Sequence, residues 1–243
     1  SFERSSIMLV AAILGTTISP YLFFWQTAQE VEGEIAEGQT TIAGRQSAVT
    51  PAIIKDMRLD VWLGMFFSNL VMFFIILVTG ATLHPMGITE IGTSAEAAAA
   101  LRPLAGDQAS LLFSLGIIGT GLLAVPILSG SASYALSESF GWRTGLNRRL
   151  KAASAFYGLI ILATLVGFGL NFLGIDPIKA LIYSAIANGL IAPLVLGQIV
   201  LLASRKAVMG EWVNNRLQRL LGWLTVALMG LVSLATLIAI FVL

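Results

Sequence analysis

Charged residues are clustered along this chain, and long charge-free runs lie between the clusters. Six such runs cover about residues 6–29, 61–83, 108–137, 152–175, 180–204 and 220–243. Each has the roughly 20 predominantly apolar residues that are needed to cross the hydrocarbon core of a bilayer. A core helix of a soluble protein would be shorter and would show a polar stripe. The pattern therefore predicts an all-α polytopic membrane protein with six transmembrane helices.

The composition supports this class and excludes several functions. Hydrophobic residues make up 57% of the chain and charged residues 11%, whereas a soluble domain carries about 25% charged residues. The absence of cysteine excludes disulfides and thiolate metal sites. No basic domain is present, so nucleic acid is not an expected partner. No grouping typical of a catalytic site or a cofactor site occurs, and we expect no enzyme.

The basic residues predict the orientation of the spans. The connectors after spans one, three and five hold three, four and four of the 14 lysines and arginines. Basic residues in short flanks stay on the cytoplasmic side. The connector at 30–60 is therefore expected to be cytoplasmic, the connector at 84–107 extracellular, and both termini outside. Because the chain begins with Ser1 and has no signal peptide, we expect a C-terminal portion of a longer protein.

The connectors offer two candidate groups with modest signals. Glu30, Glu32, Glu34 and Glu37 could bind a cation, but a solvated cytoplasmic helix end is the favoured interpretation. His84, the only histidine, is interpreted as a solvated loop residue. In the outer connector, the alanine-rich segment 94–104 predicts a short surface helix.

Small and polar residues also occur inside the later spans. In span three they favour close helix packing, with a water-filled path as the alternative. Asn188 in span five is either a hydrogen-bonding contact between helices or part of a polar site, since a buried amide in lipid needs a partner. Span six is almost uniformly apolar and is expected to be peripheral. The span-three residues are Gly116, Gly119, Gly121, Pro126, Ser129, Gly130, Ser131 and Ser133.

The first span contains the stretch "GTTISPYLFF", residues 15–24, where a simple anchor would carry leucine. Pro20 removes an amide donor and clashes with the preceding turn, and Gly15 lowers helix propensity. Together they can unwind the helix, and unwound backbone at membrane depth survives only inside protein or along a cavity. Freed carbonyls could then coordinate a cation, as in many secondary transporters. The alternative is a proline kink whose threonines bond back to their own helix.

Three stretches resemble parts of one transporter family. "AILGTTISPYLFFWQTAQEVEGE" (12–34) is similar to the sixth transmembrane helix of the Nramp family of divalent-metal transporters. "GIIGTGLLAVPILSGSASYALSESFGW" (116–142) and "ANGLIAP" (187–193) resemble later parts of its bacterial branch. The resemblance implies a LeuT-like fold of two inverted repeats. Residues 1–243 would form a single transmembrane domain, namely helices six to eleven: the second repeat plus one terminal helix.

The chain departs from the family at the break. Where the family has Met-Pro-His, this sequence has Ser19-Pro20-Tyr21, and the family's second histidine falls at Gln26. A thioether favours softer metals, whereas hydroxyls and carbonyls suit hard ions such as Mg²⁺ and Mn²⁺. Loss of both histidines removes the groups that titrate near neutral pH. The departures imply a shift toward harder ions and weakened or absent proton coupling.

The resemblance implies two sets of site residues. The metal ligands would be the backbone carbonyl of Thr16 and the side chain of Ser19, directly or through water. The transport path would be formed by other residues of the first span and one residue of span five. These path residues are Thr17, Pro20, Tyr21, Gln26 and Asn188.

The expected function is secondary transport of divalent metal cations, namely Mn²⁺, Mg²⁺ or a related ion, by alternating access in a bacterial inner membrane, with weakened or absent proton coupling. The metal ion is the transported substrate, and no cofactor is expected. The expected partners are the lipid bilayer and a missing N-terminal repeat of the same protein, which would supply the main metal-binding carboxylate. Two other functions remain open: an amino acid or nucleobase symporter of the same fold, and a non-transporting structural subunit.

Overall fold

The computed structural model describes residues 4–88, 91, 93–99, 102 and 106–241. Within these residues the regular structure is helical and contains no strand. Six helical segments there are long and apolar enough to cross a membrane: Ile7–Ala36, Pro51–Thr82, Ala109–Ser139, Ser154–Leu173, Pro177–Ala203 and Arg216–Phe241. The predicted all-α membrane protein with six spans is thereby confirmed.

The helices are numbered in chain order, and short 3₁₀ turns join several of them. The chain forms two compact units, residues 4–23 with 177–241 and residues 24–176. The α-helices are α1 Arg4–Thr17, α2 Pro20–Ala36, α3 Ile42–Ala48, α4 Pro51–Thr82, α5 Ser94–Ala99, α6 Ala109–Ser139, α7 Ser154–Leu170, α8 Pro177–Ala203, α9 Lys206–Met209 and α10 Arg216–Phe241. The 3₁₀ turns are His84–Met86, Gly106–Gln108, Asn171–Leu173 and Gly210–Trp212.

The unit formed by residues 4–23 and 177–241 consists mainly of α1, α8 and α10, which pack on one another. Its buried side chains are mostly small: Ala11, Ala192, Ser233, Thr236 and Ala239. Small residues let helices approach closely where lipid supplies no hydrophobic driving force between them. Span six, which is expected to be peripheral, packs on this unit by one face: α10 buries Met229, Ser233, Thr236 and Ala239, and most of its other side chains are exposed.

A reciprocal cap starts α10. The backbone amide of Gln218 donates to the Asn215 side-chain oxygen at 2.8 Å, and the Asn215 amide donates to the Gln218 side-chain oxygen at 2.9 Å. Such a box satisfies two amides that have no partner inside the helix. Neighbouring polar residues therefore determine where α10 starts, ahead of the apolar run that begins at Leu220.

The unit formed by residues 24–176 has a small aromatic core where α2, α6 and α7 meet. Tyr134 and Phe156 are fully buried there, with ring centroids 4.7 Å apart. Trp25 lies edge-on to Tyr134 at 6.1 Å. A Cβ added at Gly130 would lie 2.4 Å from the Trp25 ring, so glycine is required for this approach.

The packing role predicted for the small residues of span three is confirmed only at the end of the helix. Ser129, Gly130, Ser131 and Ser133 are buried in the C-terminal half of α6. The three glycines of the N-terminal half, Gly116, Gly119 and Gly121, are open: a Cβ at any of them would meet nothing within 4 Å.

The connector predicted at 30–60 is largely helical at both of its ends. Helix α2 continues to Ala36, and α4 already begins at Pro51. Thr50 caps α4 by accepting the Ile53 amide at 3.3 Å, and proline at the first helical position is preorganised for a helix start. No residue of α4 is buried.

The described part of the outer connector contains the 3₁₀ turn around His84, whose side chain is exposed. The predicted surface helix at 94–104 is observed as α5, Ser94–Ala99. Residues 100–101 and 103–104 of that prediction lie outside the described residues.

Candidate functional site

The first span is broken where the sequence predicts, but over a shorter stretch. Helix α1 ends at Thr17 and α2 begins at Pro20, so only Ile18 and Ser19 lie outside the helices. The Ile18 amide still bonds the Leu14 carbonyl at 2.8 Å. Gly15 is helical, and the role given to it in unwinding the helix was wrong. The interruption follows from Pro20, which has no amide to donate to the Thr16 carbonyl.

Ser19 compensates for the missing donor. Its hydroxyl donates to the Thr16 carbonyl oxygen at 2.7 Å, and Ser19 is only 7% exposed. The two predicted metal ligands are thus adjacent oxygen atoms. Two oxygens that bind one Mg²⁺ side by side at about 2.1 Å lie about 3.0 Å apart. A cation could take the place of this hydrogen bond and bind both oxygens, once a rotation of the Ser19 side chain has turned the hydroxyl proton away from the Thr16 carbonyl.

The threonine hydroxyls behave as in the proline-kink interpretation. The Thr16 hydroxyl donates to the Ala12 carbonyl, and the Thr17 hydroxyl donates to the Ile13 carbonyl at 2.8 Å. Both bonds lie within α1. The Thr16 group that could bind a ligand is therefore its backbone carbonyl. The Thr17 hydroxyl is a weaker candidate ligand than the Ser19 hydroxyl, because it bonds a carbonyl of its own helix.

Gly15 marks a close crossing of α1 and α8. A Cβ on Gly15 would lie 2.1 Å from the Ala185 carbonyl oxygen, and one on Gly189 would lie 2.7 Å from the Ala11 carbonyl oxygen. The Ser233 hydroxyl of α10 donates to the Gly189 carbonyl at 2.9 Å. The helix just before the break is consequently held by backbone contacts that only glycine allows. The sequence signal that could have indicated this was the Asn188-Gly189 pair, read together with Gly15.

Asn188 lies on α8 immediately before the glycine of this crossing. Its side chain is half-buried and makes no hydrogen bond with another described residue. It therefore does not act as a hydrogen-bonding contact between the described helices. An amide oxygen without a protein partner remains available to a ligand or to water.

The other path residues belong to α2. Pro20 is buried at its first position, and Tyr21 is half-buried. Gln26 is exposed and lies in the unit of residues 24–176. Thr16, Ser19 and Pro20 lie together because they are near neighbours along the chain.

The break offers neutral oxygen ligands. Within the described residues, no group of three or more histidine, aspartate or glutamate side chains is placed to hold a metal ion. The run from residue 6 to residue 29 also carries no charged side chain. Hydroxyl and carbonyl oxygens are ligands for hard cations. They do not balance the charge of a divalent ion.

A second polar group, which the sequence analysis missed, is centred on Glu32. Its carboxylate accepts a hydrogen bond from the Tyr134 hydroxyl, from the Leu146 amide at 2.9 Å and from the Asn147 amide at 3.0 Å. Gly145 has φ +129°, and a Cβ there would lie 3.1 Å from a Glu32 oxygen. We call this arrangement the Glu32 clasp. The prediction of a merely solvated glutamate was wrong at Glu32.

The clasp is reinforced from the opposite side of the same backbone. The Tyr157 hydroxyl bonds the Leu146 carbonyl at 3.0 Å and the Arg148 carbonyl at 2.9 Å. Gln29 donates to the Tyr134 hydroxyl at 3.3 Å. The connector between α6 and α7 is thus attached to both α2 and α7.

A cavity of about 540 Å³ lies beside the clasp. Both apolar and polar side chains of α2 line it, together with polar side chains of the connector, and its lining includes Glu32 and Glu138. Glu34, a neighbour of the clasp in sequence, pairs with Arg45 at 3.4 Å. The lining residues are Thr27, Ala28, Val31, Glu32, Ile35, Tyr134, Glu138, Thr144, Asn147 and Arg148.

Six apolar helical segments in the described part of the chain, the first interrupted at Ile18 and Ser19, define a polytopic integral membrane protein. The family model described as natural resistance-associated macrophage protein-like matches residues 1–239. The chain therefore belongs to the Nramp family, which confirms the resemblance seen in residues 12–34, 116–142 and 187–193. It is an integral protein of the bacterial inner membrane.

Curated relatives share this similarity along most of the chain. The protein named divalent metal cation transporter MntH from Deinococcus radiodurans is 26% identical, over 90% of this chain and 46% of the relative. MntH 1 from Pseudomonas aeruginosa is 27% identical over 97% of this chain and 50% of the relative. MntH from Clostridium acetobutylicum is 22% identical over 94% of this chain and 49% of the relative. The chain spans about half the length of these relatives.

Proposed function

We propose that this chain forms part of a secondary transporter that moves divalent metal cations across the bacterial inner membrane by alternating access. The observation that carries the proposal is the pair of oxygens at the break, the Thr16 carbonyl and the Ser19 hydroxyl, 2.7 Å apart in a membrane span. Membership of the Nramp family and the names of the relatives support the same substrate class. The metal ion is the substrate, and no cofactor is required.

The neutral oxygens of the break require a counter-charge from elsewhere. A divalent ion that leaves water needs at least one carboxylate or retained water molecules to balance its charge. The chain spans about half the length of its relatives, and we propose that a first repeat outside residues 1–243 supplies that carboxylate and completes a LeuT-like fold. Residues 1–243 would then form helices six to eleven, with Asn188 as an additional oxygen ligand from α8.

The ligand types favour hard cations, Mg²⁺ and Mn²⁺, over softer ones. Ser19 offers a hydroxyl where the family's usual methionine would offer a sulfur atom. Serine is also shorter, which leaves space for a metal that keeps part of its water shell, as Mg²⁺ does. Tyr21 and Gln26 replace groups that titrate near neutral pH, so transport is proposed to proceed with weak proton coupling or none.

The decisive test compares Ser19→Met with the unaltered protein, each as the full transporter in liposomes. The variant restores a soft ligand at the break. We expect Cd²⁺ to compete against Mg²⁺ at least about tenfold better, since even outer-shell partners change metal affinity by that factor, and Mn²⁺, which is harder than Cd²⁺, to gain less. A pH-sensitive dye inside the same liposomes reports coupling, and we expect no acidification during Mg²⁺ uptake.

The matched control is Ser114→Met on α6. Ser114 is exposed, and its hydroxyl bonds the Ser110 carbonyl of its own helix at 2.8 Å. This variant adds the same thioether away from the break, and its competition profile should not change. Equal profiles for Ser19→Met and the unaltered protein would remove Ser19 from the site. Uptake of an amino acid or a nucleobase, with no metal uptake by either protein, would instead favour an organic-solute symporter.

A further inference from the structure

The connector after α6 presents a concentrated positive surface. Residues 140–151, here named the basic loop, hold four cationic side chains and no acidic residue. All four are exposed, and none forms an ion pair with another described residue. The four cations are Arg143, Arg148, Arg149 and Lys151.

The same loop exposes apolar surface at the end of a membrane span. Phe140 and Trp142 stack with ring centroids 5.1 Å apart and planes 24° from parallel. They are 64% and 45% exposed, and Leu150 is 62% exposed. Aromatic side chains at the end of a span are typical of the membrane–water interface. The cations of the basic loop consequently lie next to the level of the lipid headgroups.

The backbone of the basic loop is fixed at both ends. The Trp142 amide bonds the Ser137 carbonyl at 2.8 Å and the Gly141 amide bonds the Glu138 carbonyl at 3.1 Å. With Gly141 at φ +68°, this is a Schellman motif, which ends α6 sharply. The Glu32 clasp holds the following turn. A fixed backbone lets the four cations engage a ligand with little loss of backbone entropy.

The protein supplies little negative charge to these cations. Glu32 has its carboxylate committed to the clasp, and Glu138 shares a cavity wall with Arg148 without forming an ion pair. The four cations are therefore available to an anion outside the described residues. We propose that the basic loop binds the phosphate groups of anionic phospholipids in the cytoplasmic leaflet, with Phe140 and Trp142 inserted beside the acyl chains.

Two properties favour lipid over an acidic protein. The surface is continuous with the end of a span, so that phosphates are already present at its level. Clusters of cations beside a span attract anionic lipid, and each cation near the surface strengthens attachment about fivefold. The aromatic pair has no place in a purely electrostatic contact with a soluble partner, whereas it suits the interface.

The first measurement is fluorescence quenching of Trp142 in the full protein. Bilayers contain phosphatidylcholine with a minor fraction of phosphatidylglycerol, and bromine is carried on the acyl chains of one lipid or of the other. The Trp142 signal is the difference between the protein and Trp142→Phe, because the chain has five tryptophans. We expect brominated phosphatidylglycerol to be enriched about fivefold or more around Trp142 over its bulk fraction. Quenching in proportion to bulk composition overturns the proposal.

A charge-matched comparison separates a site from general surface charge. One variant replaces Arg143, Arg148, Arg149 and Lys151 by glutamine. The control replaces Arg205, Lys206, Arg216 and Arg219, four cations that are spread over fifteen residues of another connector. Enrichment around Trp142 should be lost in the first variant and retained in the control. An equal loss in both assigns the effect to net charge and overturns the proposal.

Salt provides a test that does not depend on a variant. Around 1 M salt the screening length falls to about 3 Å, so the headgroup preference of the unaltered protein should disappear. A preference that persists at this salt concentration contradicts binding through the four cations. The orientation of each variant can be checked with a cysteine introduced into one connector, since the chain has none of its own.

Discussion

The break in the first span and the Glu32 clasp are both polar groups at helix ends, but their hydrogen bonds join residues at very different separations along the sequence. At the break, Thr17 bonds a residue four positions away and Ser19 one three positions away. At the clasp, Glu32 bonds Tyr134 and Leu146, more than one hundred positions away. Short-range bonds can be exchanged for a ligand without opening the tertiary structure. Loss of the hydrogen bonds between distant residues would instead separate elements that pack on one another.

The comparison indicates which group can change its partners during function. The oxygens at the break are joined only by a hydrogen bond between near neighbours in the chain. Asn188 has no described hydrogen-bond partner. The clasp has donors on both carboxylate oxygens. A binding role therefore fits the break, and a fastening role fits the clasp.

The largest effect is expected at the backbone around the break rather than at its side chains. Gly15→Ala places a methyl group 2.1 Å from the Ala185 carbonyl oxygen, where backbone atoms must move. We expect a destabilisation of about 3 kcal/mol or more. Thermal unfolding in detergent measures it, with Gly116→Ala as the control because that methyl would meet nothing within 4 Å. Equal stability of the two variants would contradict the close crossing of α1 and α8.

A smaller effect is expected for Glu32→Ala. The variant removes the acceptor of the Leu146 and Asn147 amides. We expect the free energy of unfolding to fall by about 2 kcal/mol and not by more, because water reaches part of this exposed connector. Hydrogen exchange should quicken at residues 144–149 and remain unchanged in α8. Glu30→Ala is the control, because Glu30 is exposed and makes no described contact. A variant that exchanges as slowly as the unaltered protein would show that the clasp is not a fastening.

The smallest effect is expected for Thr16→Val. The Thr16 hydroxyl bonds only within α1, and valine keeps the backbone carbonyl. Stability should change by less than about 0.5 kcal/mol, as for an ordinary local substitution. The KM for metal uptake should stay within about twofold, whereas Ser19→Ala should raise it. A large KM change for Thr16→Val would assign a role to the hydroxyl instead of the carbonyl.

The spans and the break could be predicted from the sequence because both depend on local properties. A charge-free run has the length of a bilayer, and Pro20 lacks an amide whatever surrounds it. The extent of the break could not be predicted, since Gly15 lowers helix propensity in general but is held in a helix here by its contact with α8. The hydrogen bond between Ser19 and the Thr16 carbonyl is observed. The metal-binding role of these residues stays a prediction.

The clasp could not be predicted, because Glu30 and Glu32 look alike in the sequence and differ only in what lies across from them. Gly145 was the only local hint, since a glycine after Arg143 and Thr144 indicates a turn that could present amides. The sequence indicates the buried face of α10 more clearly than it indicates the clasp. Met229, Ser233 and Thr236 lie at helical spacing, and small polar residues at that spacing indicate packing between membrane helices.

Helix α4 has a length that its sequence explains. Its 32 residues extend over about 48 Å at 1.5 Å per residue, whereas the hydrocarbon core is about 30 Å thick. The charged residues Lys55, Asp56, Arg58 and Asp60 all lie in its first ten positions. Because charged side chains avoid the hydrocarbon, those ten positions, about 15 Å of helix, lie outside it, and the hydrocarbon begins near Val61. A helical stem thus separates the preceding connector from the hydrocarbon.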